Sequence, residues 1–207
     1  MNGRAQKKAT LALSCALVVL ATGCHTVKLT EPPRSAVEQL LLSTAADRAV
    51  EGTDLSWLEG KRVFVEDKYF ESYDRGYAIS SIRQHISESG GRLVALDTNT
   101  DFIVEIRSGG LGELTSETLV GIPSMGLPVP LAGPLQTPEL AFYKSQKSEA
   151  YSKFALFAYE SDSRQYVRST GFMDGRAHYR LYKIMFISWK RTDIPEINSK
   201  KAPRKEK

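Results

Sequence analysis

Five carboxylates in the middle of the chain are the side chains best suited to catalysis: Asp101, Glu105, Glu113, Glu117 and Glu139. A glycosidase needs two carboxyl groups at a fixed separation, one acting as an acid and the other as a base or nucleophile. Three of the five flank a Gly/Pro-rich segment, so a cell-wall hydrolase using loop carboxylates is one alternative for the function. Acidic side chains on strands are usually solvated, and the same residues are therefore compatible with a protein that only binds.

Other catalytic and cofactor signatures are absent from the sequence. No serine after the first 24 residues has a lysine three positions later, as the S-x-x-K pattern of penicillin-binding enzymes requires. Residues 121–126 place one residue too many before Ser124 for a hydrolase elbow. His85 and His178 lie far apart, and residues 109–112 lack the Gly-Lys-Ser/Thr of a phosphate loop. The sequence therefore predicts no cofactor, no metal site and no enzymatic activity.

The N-terminus has the composition of a secretory leader. Arg4, Lys7 and Lys8 form a basic start without an acidic residue, and residues 9–22 are almost wholly apolar. A basic start, a short apolar run and small residues before a cleavage point are typical of a signal peptide. The run is shorter than the roughly 20 residues that a membrane-spanning helix needs. The sequence therefore predicts export.

The end of this leader, residues 20–24, resembles the lipobox of bacterial lipoproteins. The resemblance implies that Cys24 receives a diacylglycerol thioether, that residues 1–23 are cut off as the signal peptide, and that the new amine takes an acyl chain such as palmitate. The match departs at Ala21, where leucine is commonest, and Cys15 is a rival acceptor inside the apolar run. His25 is not acidic, which in a cell with two membranes implies sorting to the outer membrane, with the domain facing the periplasm.

The positive charge of the chain belongs to its two ends. The whole chain has a formal charge of +4, of which the leader supplies +3 and residues 200–207 supply another +4, so residues 24–199 carry −3. Binding to nucleic acid needs a basic face on the fold itself. We therefore predict no nucleic-acid partner, and we expect the lysine-rich residues 198–207 to form a disordered tail.

Periodicity after the leader predicts a tether over residues 24–33 and one α+β domain over residues 34–197. Ser35 and Glu38 have capping-box spacing at the start of a helix over residues 36–50, which Gly52 ends as a left-handed stop. A second apolar stripe predicts a helix over residues 73–89, capped by Ser72. Alternation or β-rich composition predicts strands at 61–66, 92–96, 102–107, 140–145, 152–159 and 165–169, and a last strand or strand pair at 179–189. We expect a mixed or mostly antiparallel sheet of about five strands with two helices packed on it.

Residues 108–138 differ in kind from their neighbours. Eleven of these 31 residues are Gly or Pro, which favours a loop over regular structure. The segment is nevertheless too apolar for a disordered linker. We therefore expect an ordered Gly/Pro-rich loop that docks either on its own domain or, the alternative we favour, on a partner, through five apolar residues: Ile122, Met125, Leu127, Val129 and Leu131.

Residues 35–49, 121–124 and 138–141 resemble segments of an uncharacterised bacterial lipoprotein family. The order of elements after the lipobox is also similar to periplasmic lipoproteins such as the curli secretion factor CsgG and the penicillin-binding-protein activator LpoB. These resemblances imply assembly or binding instead of catalysis. The expected function is a membrane-anchored, non-enzymatic binding or scaffolding module with a protein partner in the envelope. A subunit of a ring-forming secretion assembly, and hence a homo-oligomer, is the second alternative.

Overall fold

The computed structural model describes residues 34–95, 98–129 and 133–198, without the side chains of residues 127–135. The signal peptide, the tether with Cys24, and residues 199–207 of the tail lie outside the described residues. Residues from Arg34 onward form a compact unit of their own.

The first helix, α1 (Ala36–Glu51), has the predicted start and ends one residue later than predicted. The Ser35 Oγ accepts a hydrogen bond from the Glu38 amide at 3.1 Å, as a helix cap requires. The Glu38 carboxylate does not complete the capping box, because it accepts instead from the Arg34 Nε at 2.8 Å. The expected left-handed stop is wrong, since Gly52 has a φ of −80°.

The next elements form a small parallel unit. A 3-10 turn (Ser56–Leu58) leads into strand β1 (Arg62–Glu66), helix α2 (Arg75–Glu88) and strand β2 (Arg92–Val94). Strand β2 pairs with β1 in parallel, and β1 pairs in parallel with the start of β3. The second helix starts two residues later than predicted. Ser72 is not its cap, because Asp74 holds that position and makes no side-chain cap.

Three long strands replace several shorter predicted elements. Strand β3 runs over Phe102–Ile122, β6 over Leu140–Glu160 and β7 over Tyr166–Ile184. Strands β4 (Gly126–Val129) and β5 (Gly133–Gln136) form a separate hairpin between β3 and β6. The predicted loop over residues 108–138 is therefore wrong for residues 108–122. Their glycines are compatible with a strand because β6 pairs with this segment over its whole length.

One mixed sheet of six strands unites these elements, in the order β2-β1-β3-β6-β7-β8. The last strand, β8 (Ile187–Thr192), follows a two-residue turn after β7, and a short helix, α3 (Pro195–Asn198), ends the described chain. The α+β class and the mixed sheet are confirmed. The strand count is six instead of about five, and α3 was not predicted.

The core lies between the two long helices and one half of the sheet. Helix α1 runs antiparallel to β7. Leu41, near its start, packs in the same core cluster as Ala177, whereas Ala49, near its end, packs in the cluster that contains the earlier β7 residue Met173. The N-terminus of α1 therefore points along the sheet toward the ends of β3 and β7. Among the described residues, no helix has the length and apolar character needed to cross a membrane.

Candidate functional site

Beyond the helices, the sheet continues as an extension that we call the arm: residues 111–122 of β3, 140–149 of β6, 178–184 of β7, and β8. At ~3.4 Å per antiparallel residue, the 11 steps from residue 111 to 122 span ~37 Å. The far end of the arm exposes seven apolar side chains, which we call the apolar tip: Ile122, Leu140, Phe142, Ile184, Met185, Phe186 and Ile187.

The strand register brings the residues of the apolar tip together. Ile122 pairs with Leu140 at the end of β3 and β6, and Ile184 pairs with Ile187 across the turn between β7 and β8. The Met185 amide donates to the Phe142 carbonyl at 3.0 Å, which joins the two ends. Phe186 is 94% exposed at the turn. A monomeric protein rarely leaves such a group of side chains uncovered unless they bind something.

Sequence reasoning identified part of this site. Ile122 closes β3 and Met125 follows it, and both side chains are half exposed. Leu127 and Val129 lie on β4, where only their backbone pairing with β5 is described. Leu131 lies outside the described residues. The structure thus places the predicted surface at the end of a strand and in a hairpin, instead of in a loop.

Most of the apolar tip was missed from the sequence. Residues 179–189 are apolar on both faces, which is typical of a buried strand. The structure divides them between β7 and β8, as the strand-pair alternative predicts, and Met185 at the turn has a φ of +49°. The turn residues Met185 and Phe186 are not the Gly, Asn, Asp or Pro that mark turns in a sequence, so no sequence signal indicated the exposed tip.

Aromatic and cationic side chains follow the apolar tip along the arm. The Tyr182 and Trp189 rings stack with their centroids 5.5 Å apart. These two residues pair across β7 and β8 next to the Lys183–Ser188 pair, on the side away from the turn. Further back, Lys147, Arg180 and Arg191 occupy paired positions on three neighbouring strands. The Arg180 guanidinium contacts the Glu149 carboxylate at 3.0 Å. In the part of the chain that the structure describes, Lys147, Lys183 and Arg191 have no carboxylate within 4 Å.

Two of the candidate catalytic carboxylates meet at a single lysine. The Lys144 Nζ lies 3.1 Å from a Glu117 oxygen and 2.8 Å from a Glu139 oxygen. The hydrogen bond to Glu139, together with that to Glu117, raises the pKa of Lys144. Both carboxylates bind the same ammonium group, whereas the two carboxyl groups of a glycosidase face a substrate across a cleft. The arrangement fits a structural clamp between β3 and β6 better than an acid–base pair.

The other candidate carboxylates lie elsewhere. Glu113 pairs with Ala150, nine residues from the Ile122 end of β3, so it lies ~30 Å along the strand from Glu139. This exceeds the ~5–9.5 Å that separates a glycosidase pair. The side-chain hydrogen bond from Arg62 lowers the pKa of Asp101 to about 2. A carboxyl group with that pKa is ionised at neutral pH and is no proton donor there.

The histidines and acidic residues form no metal centre in the described ranges 34–95, 98–129 and 133–198. The His85 Nε2 lies 2.7 Å from the Thr53 carbonyl oxygen, so this partly buried imidazole has a backbone partner. His178 lies at the start of the arm, where its Nδ1 contacts the Asp193 carboxylate at 3.0 Å. Both histidines are thus engaged in contacts that hold elements of the fold together.

A protein-family model described as a family of unknown function, DUF6655, matches residues 18–190. The matched range includes Cys24, the described domain up to β8, and all residues of the apolar tip. A search of curated proteins found no match.

Proposed function

Because the chain belongs to DUF6655, a family of unknown function, we propose its function from its own residues. It is a lipid-anchored protein of the bacterial cell envelope, facing the periplasm from the outer membrane. It acts by binding or scaffolding instead of catalysis. The observation that supports binding is the apolar tip, where seven apolar side chains are exposed together at the end of a long arm.

The anchor rests on the leader and on Cys24. The basic start, the apolar run and the lipobox-like residues 20–24 together favour lipidation of Cys24. Cleavage would also remove Cys15 and leave a single cysteine in the mature chain. A lone cysteine in an exported protein has no intramolecular partner, and a thioether to lipid accounts for it.

Binding is favoured over hydrolysis by the positions of the carboxylates. Glu117 and Glu139 contact Lys144, and Asp101 contacts Arg62, so each of these groups already has a cation. The exposed side chains of the apolar tip have no such explanation, and apolar surface provides affinity instead of proton transfer.

A ring-forming assembly is the second candidate because both edges of the arm are open. Among the described residues, no strand pairs with the outer edge of β3 beyond Glu105 or with the outer edge of β8. An unpaired strand edge is a template for pairing with another chain. Light scattering of the purified mature chain tests this candidate, since a ring requires several copies and a monomeric mass excludes it under those conditions.

The proposed function is tested by cysteine labelling of the apolar tip. Phe186→Cys places a thiol at the tip, and Phe172→Cys places a matched thiol on β7 beside the core, where Phe172 is 65% exposed. We expect a maleimide to label position 186 at least about fivefold more slowly in the intact envelope than in the purified protein, because a partner covers it. Position 172 should react equally in both.

Equal labelling of position 186 in the envelope and in solution would contradict binding at the tip. The wild-type protein supplies the control for the anchor, because its mature chain has Cys24 as its single cysteine. A thioether does not react with maleimide, so the denatured wild-type protein should remain unlabelled. A reactive thiol at Cys24 would contradict lipidation.

A further inference from the structure

We infer that the partner of the apolar tip is a phospholipid bilayer with anionic headgroups, so that the arm makes a second membrane contact in addition to the lipid on Cys24. The inference rests on the proposed function and names the partner class of the same surface. Three features of the arm support it: the order of side chains along its length, the absence of charge beyond its end, and the reach of the tether.

The order of side chains along the arm matches the layers of a membrane interface. Phe186 and Ile187 lie at the far end, the Lys183–Ser188 pair comes next, the stacked Tyr182–Trp189 pair follows, and Arg191 lies further back. The long Lys183 side chain can extend its ammonium back to the headgroup level. Apolar residues favour the acyl region, Trp and Tyr favour the headgroup level, and Lys or Arg reach phosphates. Trp189 is three residues from Phe186, or ~10 Å along the strand, which matches the ~5–10 Å depth of interfacial insertion.

The chain between Glu117 and Glu139 contains no charged residue. Residues 118–138, which include the end of β3 and the hairpin beyond it, contain no Asp, Glu, Lys, Arg or His. The two charges that border this segment, Glu117 and Glu139, both contact Lys144. A protein partner would tolerate charges here, whereas the acyl region penalises each one strongly. The uncharged segment therefore favours lipid over protein.

The cations behind the tip favour anionic lipid. The arm contains six Lys or Arg residues and, together with Glu139 at its end, four Glu residues. In the described part of the chain, Lys147, Lys183 and Arg191 have no carboxylate within 4 Å. Free cations next to an apolar surface attract phosphate headgroups, each contributing about fivefold to affinity.

The tether is long enough for the arm and the lipid on Cys24 to reach the same bilayer. Helix α1 begins toward the far end of the arm, because Leu41 lies beside Ala177 and Ala49 lies further back beside Met173. Tyr179 packs against the Leu41 cluster. It lies seven residues before Phe186, or ~24 Å along the strand. The ten residues 24–33 extend to at most ~33–36 Å.

Vesicle binding by the mature chain tests the inference. The protein comprises residues 24–207 with Cys24→Ser, so that no lipid anchor contributes. Trp57→Phe leaves Trp189 as the single tryptophan. Vesicles of phosphatidylethanolamine and phosphatidylglycerol should shift the Trp189 emission to the blue, and brominated acyl chains should quench it. Phe186→Ser should lower the partition coefficient about tenfold, whereas the matched variant Phe172→Ser should leave it unchanged.

Charge variants complete the test. Lys183→Gln with Arg191→Gln should lower binding to the anionic vesicles at least about fivefold and leave binding to phosphatidylcholine vesicles unchanged. Absence of vesicle binding, or equal effects of Phe186→Ser and Phe172→Ser, would overturn the inference. If position 186 is nevertheless protected in the envelope, the proposed function stands and the partner is a protein. Tip-dependent dimers in light scattering without vesicle binding would identify that partner as a second copy of the chain.

Discussion

Replacing Gly175 by alanine tests how closely α1 lies on the sheet. An ideal Cβ at Gly175 would lie 2.0 Å from the Ala45 carbonyl oxygen and 2.6 Å from the Ala49 amide nitrogen. Contacts below 3.0 Å are essentially never seen for a Cβ, so the helix must move by ~1 Å or more. The Ser152 Oγ donates to the same Ala45 oxygen at 2.6 Å, and this buried hydrogen bond would lengthen when the helix moves.

Two terms set the magnitude of the effect. Overpacking a close contact costs about 1–3 kcal/mol, and weakening a buried hydrogen bond costs up to about 1 kcal/mol more. We therefore expect Gly175→Ala to lower the free energy of unfolding by about 1–4 kcal/mol. With a denaturant dependence of about 2 kcal/mol per molar urea, the midpoint should fall by about 0.5–2 M.

Gly112→Ala is the matched control for this prediction. Gly112 also lies inside a strand of the sheet, and a Cβ there would meet nothing within 4 Å. Alanine at such a position restricts the unfolded chain and is neutral or stabilising by up to about 1 kcal/mol. Urea unfolding of both variants, followed by far-ultraviolet circular dichroism in the Cys24→Ser background, gives the comparison. Equal midpoints for the two variants would refute the close contact between α1 and β7.

Three further changes test the core, the sheet edge and the end of the arm. Leu41→Ala removes a fully buried side chain and should cost about 2–5 kcal/mol in urea unfolding, whereas Leu114→Ala, at a 65% exposed position, should cost under about 0.5 kcal/mol. Asp101 contributes stability above the unfolded-state pKa of about 3.9, and this contribution disappears as the pH falls toward its folded pKa of about 2. Asp101→Asn should therefore lose less stability between pH 5 and pH 3 than the wild type; a parallel loss would contradict this. Gly121→Ala would place a Cβ 2.1 Å from the Leu140 carbonyl oxygen, so amide hydrogen exchange at the end of β3 should accelerate while exchange near Val104 stays unchanged.

The helices and short strands were predictable because their signals are local. The Ser35 cap and the apolar spacing around Leu41 define α1 to within one residue at each end. The alternation of Val63 and Val65 defines the buried face of β1. In these elements, sequence neighbours determine both the backbone conformation and the face that is buried.

The arm was not predictable because its strands depend on distant partners. Gly109, Gly110 and Gly121 are typical of a turn or loop when only their neighbours are considered. In the structure they accommodate irregular pairing, since the register between β3 and β6 shifts next to Gly110 and Gly121, where φ is +152° and +154°. A strand that continues through such positions is held by β6, whose partner residues lie 43 positions after Gly110 and 20 positions after Gly121. A short sequence window contains no information about that pairing.

The apolar tip shows why an apolar pattern does not by itself predict burial. Ile184 and Ile187 are residue types that usually lie in a core, yet no helix among residues 34–198 as described covers this end of the sheet, and neither side chain belongs to a core cluster. The arm itself is held by strand pairing, by the Lys144 contacts and by the Tyr182–Trp189 stack. The exposed apolar side chains therefore add little to the stability of the isolated chain and make it less soluble. Such residues are useful only where another surface covers them, and for this reason we assign the binding function to the tip. The free energy of folding comes mainly from the half of the sheet that the helices cover.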